Sequence, residues 1–73
     1  MLFRSWLDGY IPGKNIAIEY DERHHFDKSG ALLKRDIKRM KRIHKETKCM
    51  FVRIKYDGEV TVYDELWFTE NGE

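Results

Sequence analysis

Cysteine is nearly absent: Cys49 stands alone in 73 residues. An internal disulfide is excluded, and the setting is reducing or at least disulfide-independent. Cys49 lies between a basic stretch and an apolar run, and reads as a small buried core residue rather than a reactive thiol. Long apolar runs are also missing. None approaches the ~20 residues that a membrane span needs. The first residues, Met1-Leu2-Phe3-Arg4-Ser5-Trp6, lack the apolar core of a signal peptide. These absences point to a cytoplasmic protein with no membrane partner. Repeats, low-complexity tracts and linkers are missing too, so residues 1–73 read as a single domain. A chain this short buries only about 60% of the surface its unfolded form exposes. It needs a staple, a metal or a partner.

Charge is abundant and unevenly placed. Charged residues make up 37% of the chain, hydrophobic ones 41%, and the net charge is only +1. From Lys34 to Lys45 there are seven basic side chains and a single acid, Asp36. From Asp57 to Glu73 there are six acids and no Lys or Arg. A nucleic acid is attracted by the first segment and repelled by the second.

Hydrophobic spacing predicts strand, strand, helix, strand, strand. Arg4–Tyr10 reads as a strand ending near Asp8-Gly9, and Ile11–Asn15, with its Pro, Gly and Asn, as the turn. Ile16–Asp21 is a β-branched and aromatic run, hence an antiparallel partner. Glu22–Ser29 is polar and reads as a loop. A helix follows from Gly30 or Ala31 to Thr47, with Leu33, Ile37, Met40 and His44 on one face and Leu32 and Ile43 beside it. His44, on that face, reads as structural. Met50–Tyr56 is a third strand, Asp57-Gly58 a hairpin signal, and Glu59–Tyr63 the return. Leu66-Trp67-Phe68 covers the core edge or forms an interface, and Thr69–Glu73 frays. The fold class is α+β: a small, mainly antiparallel sheet with one helix packed on a face.

The chemistry-bearing residues cluster in the first hairpin. Asp8 ends the first strand. Glu19 and Asp21, two residues apart, project from one face of the second. Ile16, Ile18 and Tyr20 then point the other way, toward helix and core. Pairing across the turn brings Asp8 close to Glu19. Converging carboxylates are costly to hold together unless a cation neutralises them. Oxygen ligands with spare water positions suit Mg²⁺ or Mn²⁺. Such an ion polarises a phosphate and lowers the pKa of a bound water. The plainer alternative is a set of solvated acids on a one-sided sheet. Among the histidines, His25 or its neighbour His24 is placed to serve as a base or phosphate contact beside these acids.

Asp8-Gly9-Tyr10-Ile11-Pro12 followed by Asn15-Ile16-Ala17-Ile18-Glu19-Tyr20-Asp21-Glu22 resembles the PD-(D/E)xK (restriction-endonuclease-like) nuclease superfamily. In that superfamily one acid ends a strand and the Glu-x-Lys motif lies on the next. The sequence is similar in particular to the very-short-patch-repair-like branch, which includes phage homing endonucleases with a Glu, Asp, His and Asp signature. His25 matches the signature His, Asp36 and Arg39 match the following helix, and Cys49–Ile54 resembles the final strand. The resemblance spans roughly Trp6 to Tyr56. Two features depart from it: Asp21 stands where the motif Lys is usual, and the helix and strand that normally precede the first acid are not accommodated.

The resemblance implies a minimal nuclease domain, a Mg²⁺-dependent endonuclease that hydrolyses DNA phosphodiesters. It implies Asp8, Glu19 and Asp21 as metal ligands and His25 as a proton-transfer or phosphate-binding group. Asp36, Arg39 and His24 are supporting candidates. Asp36 either extends the acid cluster or balances local charge, and Arg39 can pair with it at i, i+3. On the basic helix, Lys34, Arg35, Lys38 and Arg42 are candidates for DNA backbone contacts; the alternative is a solvated face. The missing early elements make a homodimer, or a larger partner completing the fold, an expectation. Two other readings remain: a non-catalytic DNA-binding or dimerisation module that keeps the fold, and an interaction module using Leu66, Trp67 and Phe68.

Overall fold

The computed structural model describes residues 7–71. Its elements are β1 (Gly9–Ile11), β2 (Ile16–Asp21), a 3-10 turn (Arg23–His25), α1 (Lys34–Thr47), β3 (Met50–Lys55), β4 (Val60–Tyr63) and α2 (Glu65–Asn71). The strands form one sheet in the order β1-β2-β3-β4. The outer ladders are antiparallel and the central β2–β3 ladder is parallel. A parallel pair cannot be closed by a hairpin, and α1 is the crossover it requires. The fold is therefore a small α+β domain with a mixed sheet and two helices. The beginning of the expected first strand, at 4–6, lies outside the described residues, as do 72–73.

Local chemistry sets the boundaries. The first turn closes through Lys14 N–H to the Ile11 carbonyl (3.2 Å) and Asn15 N–H to that of Pro12 (3.2 Å). Asn15 has a left-handed φ of 53°, which Asn tolerates. Its Nδ2 donates to the Thr47 carbonyl at 2.9 Å, tying this turn to the end of α1. The β3–β4 loop holds one residue more than the Asp57-Gly58 signal suggests. Lys55 N–H closes on Glu59 O at 2.8 Å, so Tyr56, Asp57 and Gly58 form the loop. Gly58 takes the φ of 95° that such a loop needs.

α1 starts later than its apolar pattern suggests. Asp27 accepts from Ser29 N–H (2.8 Å), Ser29 Oγ (2.6 Å) and Ala31 N–H (3.0 Å). This Asx-type staple holds the segment out of the helix. At its other end Lys48 adopts φ 63° and its N–H donates to the His44 carbonyl at 2.7 Å. A lysine there carries a Cβ penalty that glycine does not. Lys48→Gly is expected to raise stability by about 0.5–1 kcal/mol, read as a higher urea midpoint at unchanged m-value.

Ala17, Met40, Ile43, Cys49, Phe51 and Phe68 form the buried core, with Leu7, Tyr10, Tyr63 and Trp67 packed against it. Cys49 is a core residue, as expected, and burial pushes its thiol pKa up, away from thiolate reactivity. His44 is structural. Its Nδ1 lies 2.8 Å from the Cys49 carbonyl, its Nε2 lies 3.1 Å from Glu65 Oε1, and its ring stacks on Phe68 at 3.8 Å. Of Leu66-Trp67-Phe68, Phe68 enters the core, Trp67 lies edge-on to Tyr63, and Leu66 is exposed. All three fall within α2, which continues through Thr69 to Asn71, where a frayed tail was expected.

One expectation is reversed. Ala17, Glu19 and Asp21 occupy the helix-covered face of β2, while Ile16, Ile18 and Tyr20 occupy the other, with Tyr20 63% exposed. The reason lies in α1 and β3. The helix turns Asp36, Met40, Ile43 and His44 inward, and β3 sends Phe51 and Arg53 into the same layer. That layer has cations for the acids of β2, so its polar side is the inner side.

Candidate functional site

Glu19 is only 6% exposed. Arg39, one α1 turn beyond Asp36, reaches Glu19 Oε2 with Nη1 at 3.1 Å. Arg39 thus pairs with Glu19. Burial pushes the Glu19 pKa up; Arg39 and Arg53 pull it back, and Asp8 adds to the rise. Asp8 lies just before β1, which runs Gly9–Ile11 rather than ending near Asp8-Gly9 as expected. Since Gly9 pairs with Ile18, Asp8 falls beside Glu19, and its Oδ2 accepts the Tyr20 N–H at 2.7 Å.

His25 enters from the 3-10 turn. Its N–H donates to Glu22 O (3.0 Å), and its carbonyl accepts the Leu33 N–H (2.9 Å). The turn is pinned to the end of β3, where Arg23 lies 4.6 Å from the centre of the Tyr56 ring and Lys55 5.0 Å from that of Phe26. His25 Nδ1 stands 3.1 Å from Asp36 Oδ1. A proton on Nδ1 makes that hydrogen bond and leaves Nε2 as the acceptor nitrogen. The second oxygen of Asp36 is buried without a hydrogen bond, with Arg35 Nε 3.7 Å away.

These residues line one open cleft of about 570 Å³: Asp8, Glu19, Tyr20, Glu22, His24, His25, Asp36 and Arg39. Four carboxylates and one guanidinium line it; Arg35, 3.7 Å from Asp36, and the buried Arg53 add positive charge from outside the lining. His24 sits at the rim, 64% exposed at its side chain and 3.7 Å from Glu22.

Asp21 is elsewhere. Its two oxygens accept Arg53 Nε at 2.7 Å and Nη2 at 2.8 Å in a buried bidentate pair. Burial works against the charge on Arg53, but Asp21, followed by Glu19 and Asp36, more than offsets this and raises its pKa. Asp21 thus serves Arg53 rather than the Asp8–Glu19 cleft, and among the described residues no three His, Cys, Asp or Glu side chains group closely enough to cage a metal. Arg53 was missed in the sequence. Its signal was parity: Phe51, Arg53 and Lys55 alternate with Met50, Val52 and Ile54 just as Ala17, Glu19 and Asp21 alternate with the β2 apolar residues.

The four basic candidates on α1 are all exposed, but they divide. Arg35 and Arg42 share a stripe with the cleft residue Arg39, at i, i+4 and i+7, whereas Lys34 and Lys38 follow a different stripe. Among the described residues no helix is long and apolar enough to cross a membrane.

Searches against protein-family models, curated proteins and solved structures gave no match. The functional reading therefore rests on the cleft itself.

Proposed function

We propose that this cleft is the active site of a metal-dependent DNA endonuclease of the PD-(D/E)xK kind. The observation that carries the proposal is convergence: Asp8, Glu19, His25 and Asp36, from four separate segments, line one cleft with an excess of negative charge. A chain with no use for them has no reason to concentrate these charges around a buried glutamate.

Asp8 and Glu19 are the residues to hold Mg²⁺ or Mn²⁺. Two carboxylates suffice, because Mg²⁺ commonly keeps several waters and takes only one or two protein carboxylates. When bound, the ion supplies charge to a phosphate oxygen and acidity to a water. Asp36 orients His25, whose Nε2 takes a proton from the attacking water or holds a phosphate. Arg39 screens Glu19 and is within the same cleft to meet the phosphate. Arg35 and Arg42 extend that positive edge along the DNA backbone.

Plasmid nicking with Mg²⁺ or Mn²⁺, with and without chelator, tests the reading. Cleavage that needs the metal supports it. A second reading, a DNA-binding module without chemistry, is favoured by one observation: Glu19 already has a cationic partner in Arg39. Metal-independent, salt-sensitive binding with no cleavage selects that module instead.

Two further outcomes are expected. Metal binding requires ionised Glu19, whose pKa is raised. Mn²⁺ affinity should therefore fall with decreasing pH at a midpoint above the ordinary 4.5 of a glutamate, measured by calorimetric titration across the acid range. Arg35→Ala and Arg42→Ala should each reduce the slope of log affinity against log salt by about 1. Lys34→Ala and Lys38→Ala should change it less.

A further inference from the structure

The face of the sheet opposite the cleft is uncharged. Beyond Ile16, Ile18 and Tyr20 of β2, the register sets Met50, Val52 and Ile54 alongside on β3, then Val62 and Val60 on β4, with Ile11 on β1. Nine apolar or aromatic side chains thus share one face, against six hydrophobic residues buried in the core. Tyr20, Val60 and Val62 are 63%, 55% and 53% exposed. Met40, Ile43 and Phe68 of the two helices pack into the core on the other side. A sheet in water carries polar residues on its wet face, and this one does not.

We propose that this face is the interface between two copies of the chain, packed sheet against sheet. Its chemistry selects the occupant. With no charge to complement, it fits a flat apolar surface, and the chain offers one to itself. Strands about 4.8 Å apart with a rise of about 3.3 Å per residue give roughly 400 Å² of projected sheet per copy. Side chains standing off a pleated sheet expose more than its projected area. Two copies therefore bury on the order of 1,000 Å², the lower limit for specific association. The sheets pack about 10 Å apart at a small angle, as in a sandwich, and the apolar face gains a second packed layer. The carboxylates of the cleft lie on the other face; Tyr20, which also lines the cleft, is the one residue common to both surfaces.

Sedimentation equilibrium on the full chain tests this. The wild type should dimerise with a dissociation constant in the micromolar range. Val62→Lys and Tyr20→Lys, both at exposed positions and so expected to fold, should raise that constant at least tenfold while helix content by circular dichroism stays the same. A wild type that stays monomeric to high micromolar concentration overturns the proposal. So does a dimer that survives both substitutions, since its interface is then elsewhere, for example at Leu66. Neither outcome depends on nuclease activity.

Discussion

Glu19→Gln should abolish metal-dependent nicking and leave the protein folded. The substitution keeps the shape and the hydrogen bond acceptor facing Arg39 Nη1, now 3.1 Å from Glu19 Oε2, and removes the charge that a hard cation requires. Loss of a residue that only orients a metal ligand costs about 10–100-fold; loss of a ligand itself should exceed that. Stability should move the other way or not at all. The raised pKa means that ionised Glu19 is held at a cost in the folded state. Its contribution to stability is fully present below 4.5 and is lost as pH rises through the folded value. At neutral pH that cost is in place, and glutamine removes it. The expected pair of results is cleavage below one-hundredth of wild type and a urea midpoint equal to or above it. A variant that cuts as well as wild type sinks the active-site assignment. One that unfolds makes Glu19 structural, and Asp8→Asn, at an exposed position, then carries the test of the cleft.

The parts of this cleft differ in how far the sequence reveals them. Asp8 and Glu19 were legible because a tight turn between strands fixes their register. His25 and Asp36 were legible as separate residues, but their 3.1 Å contact depends on how the Asp27 staple and the Phe26–Leu32 bridge fold the intervening loop. Local pattern does not encode that path. The order of the four strands and α1 was readable from periodicity, whereas α2 was not. The parallel β2–β3 pairing was less so, because parallel and antiparallel strands share the same alternation. The orientation of β2 was misread for a physical reason. Alternation identifies two faces but not which one is covered, and β-branched residues are taken as the inner set by default. Here the covering helix is itself polar on part of its inner face. The inner face of the sheet therefore holds Glu19, Asp21 and Arg53, and the outer one is left apolar.

That inversion makes the Asp21–Arg53 pair the most sensitive point of the fold. Both side chains are almost wholly buried, at 2% and 3% exposure, and they bridge the parallel β2–β3 ladder that α1 must span. Arg53 also reaches the Met40 sulfur at 3.6 Å, joining sheet to helix. Replacing Arg53 by Met keeps much of the volume and removes the guanidinium, leaving Asp21 without a counter-charge. Breaking one side of a buried pair costs about 3–5 kcal/mol, because the remaining charge is stranded. A domain of this length has only about 4–11 kcal/mol in total. Arg53→Met should therefore unfold a measurable fraction at room temperature, seen as lost ellipticity and a steeply lowered urea midpoint. Arg53→Met with Asp21→Leu should recover most of the loss, since two apolar groups of similar size can replace a buried pair at little cost. The double variant also separates architecture from chemistry. If Asp21 acts only through Arg53, the refolded double variant nicks DNA as the wild type does. If Asp21 takes part in holding the metal, stability returns and cleavage does not.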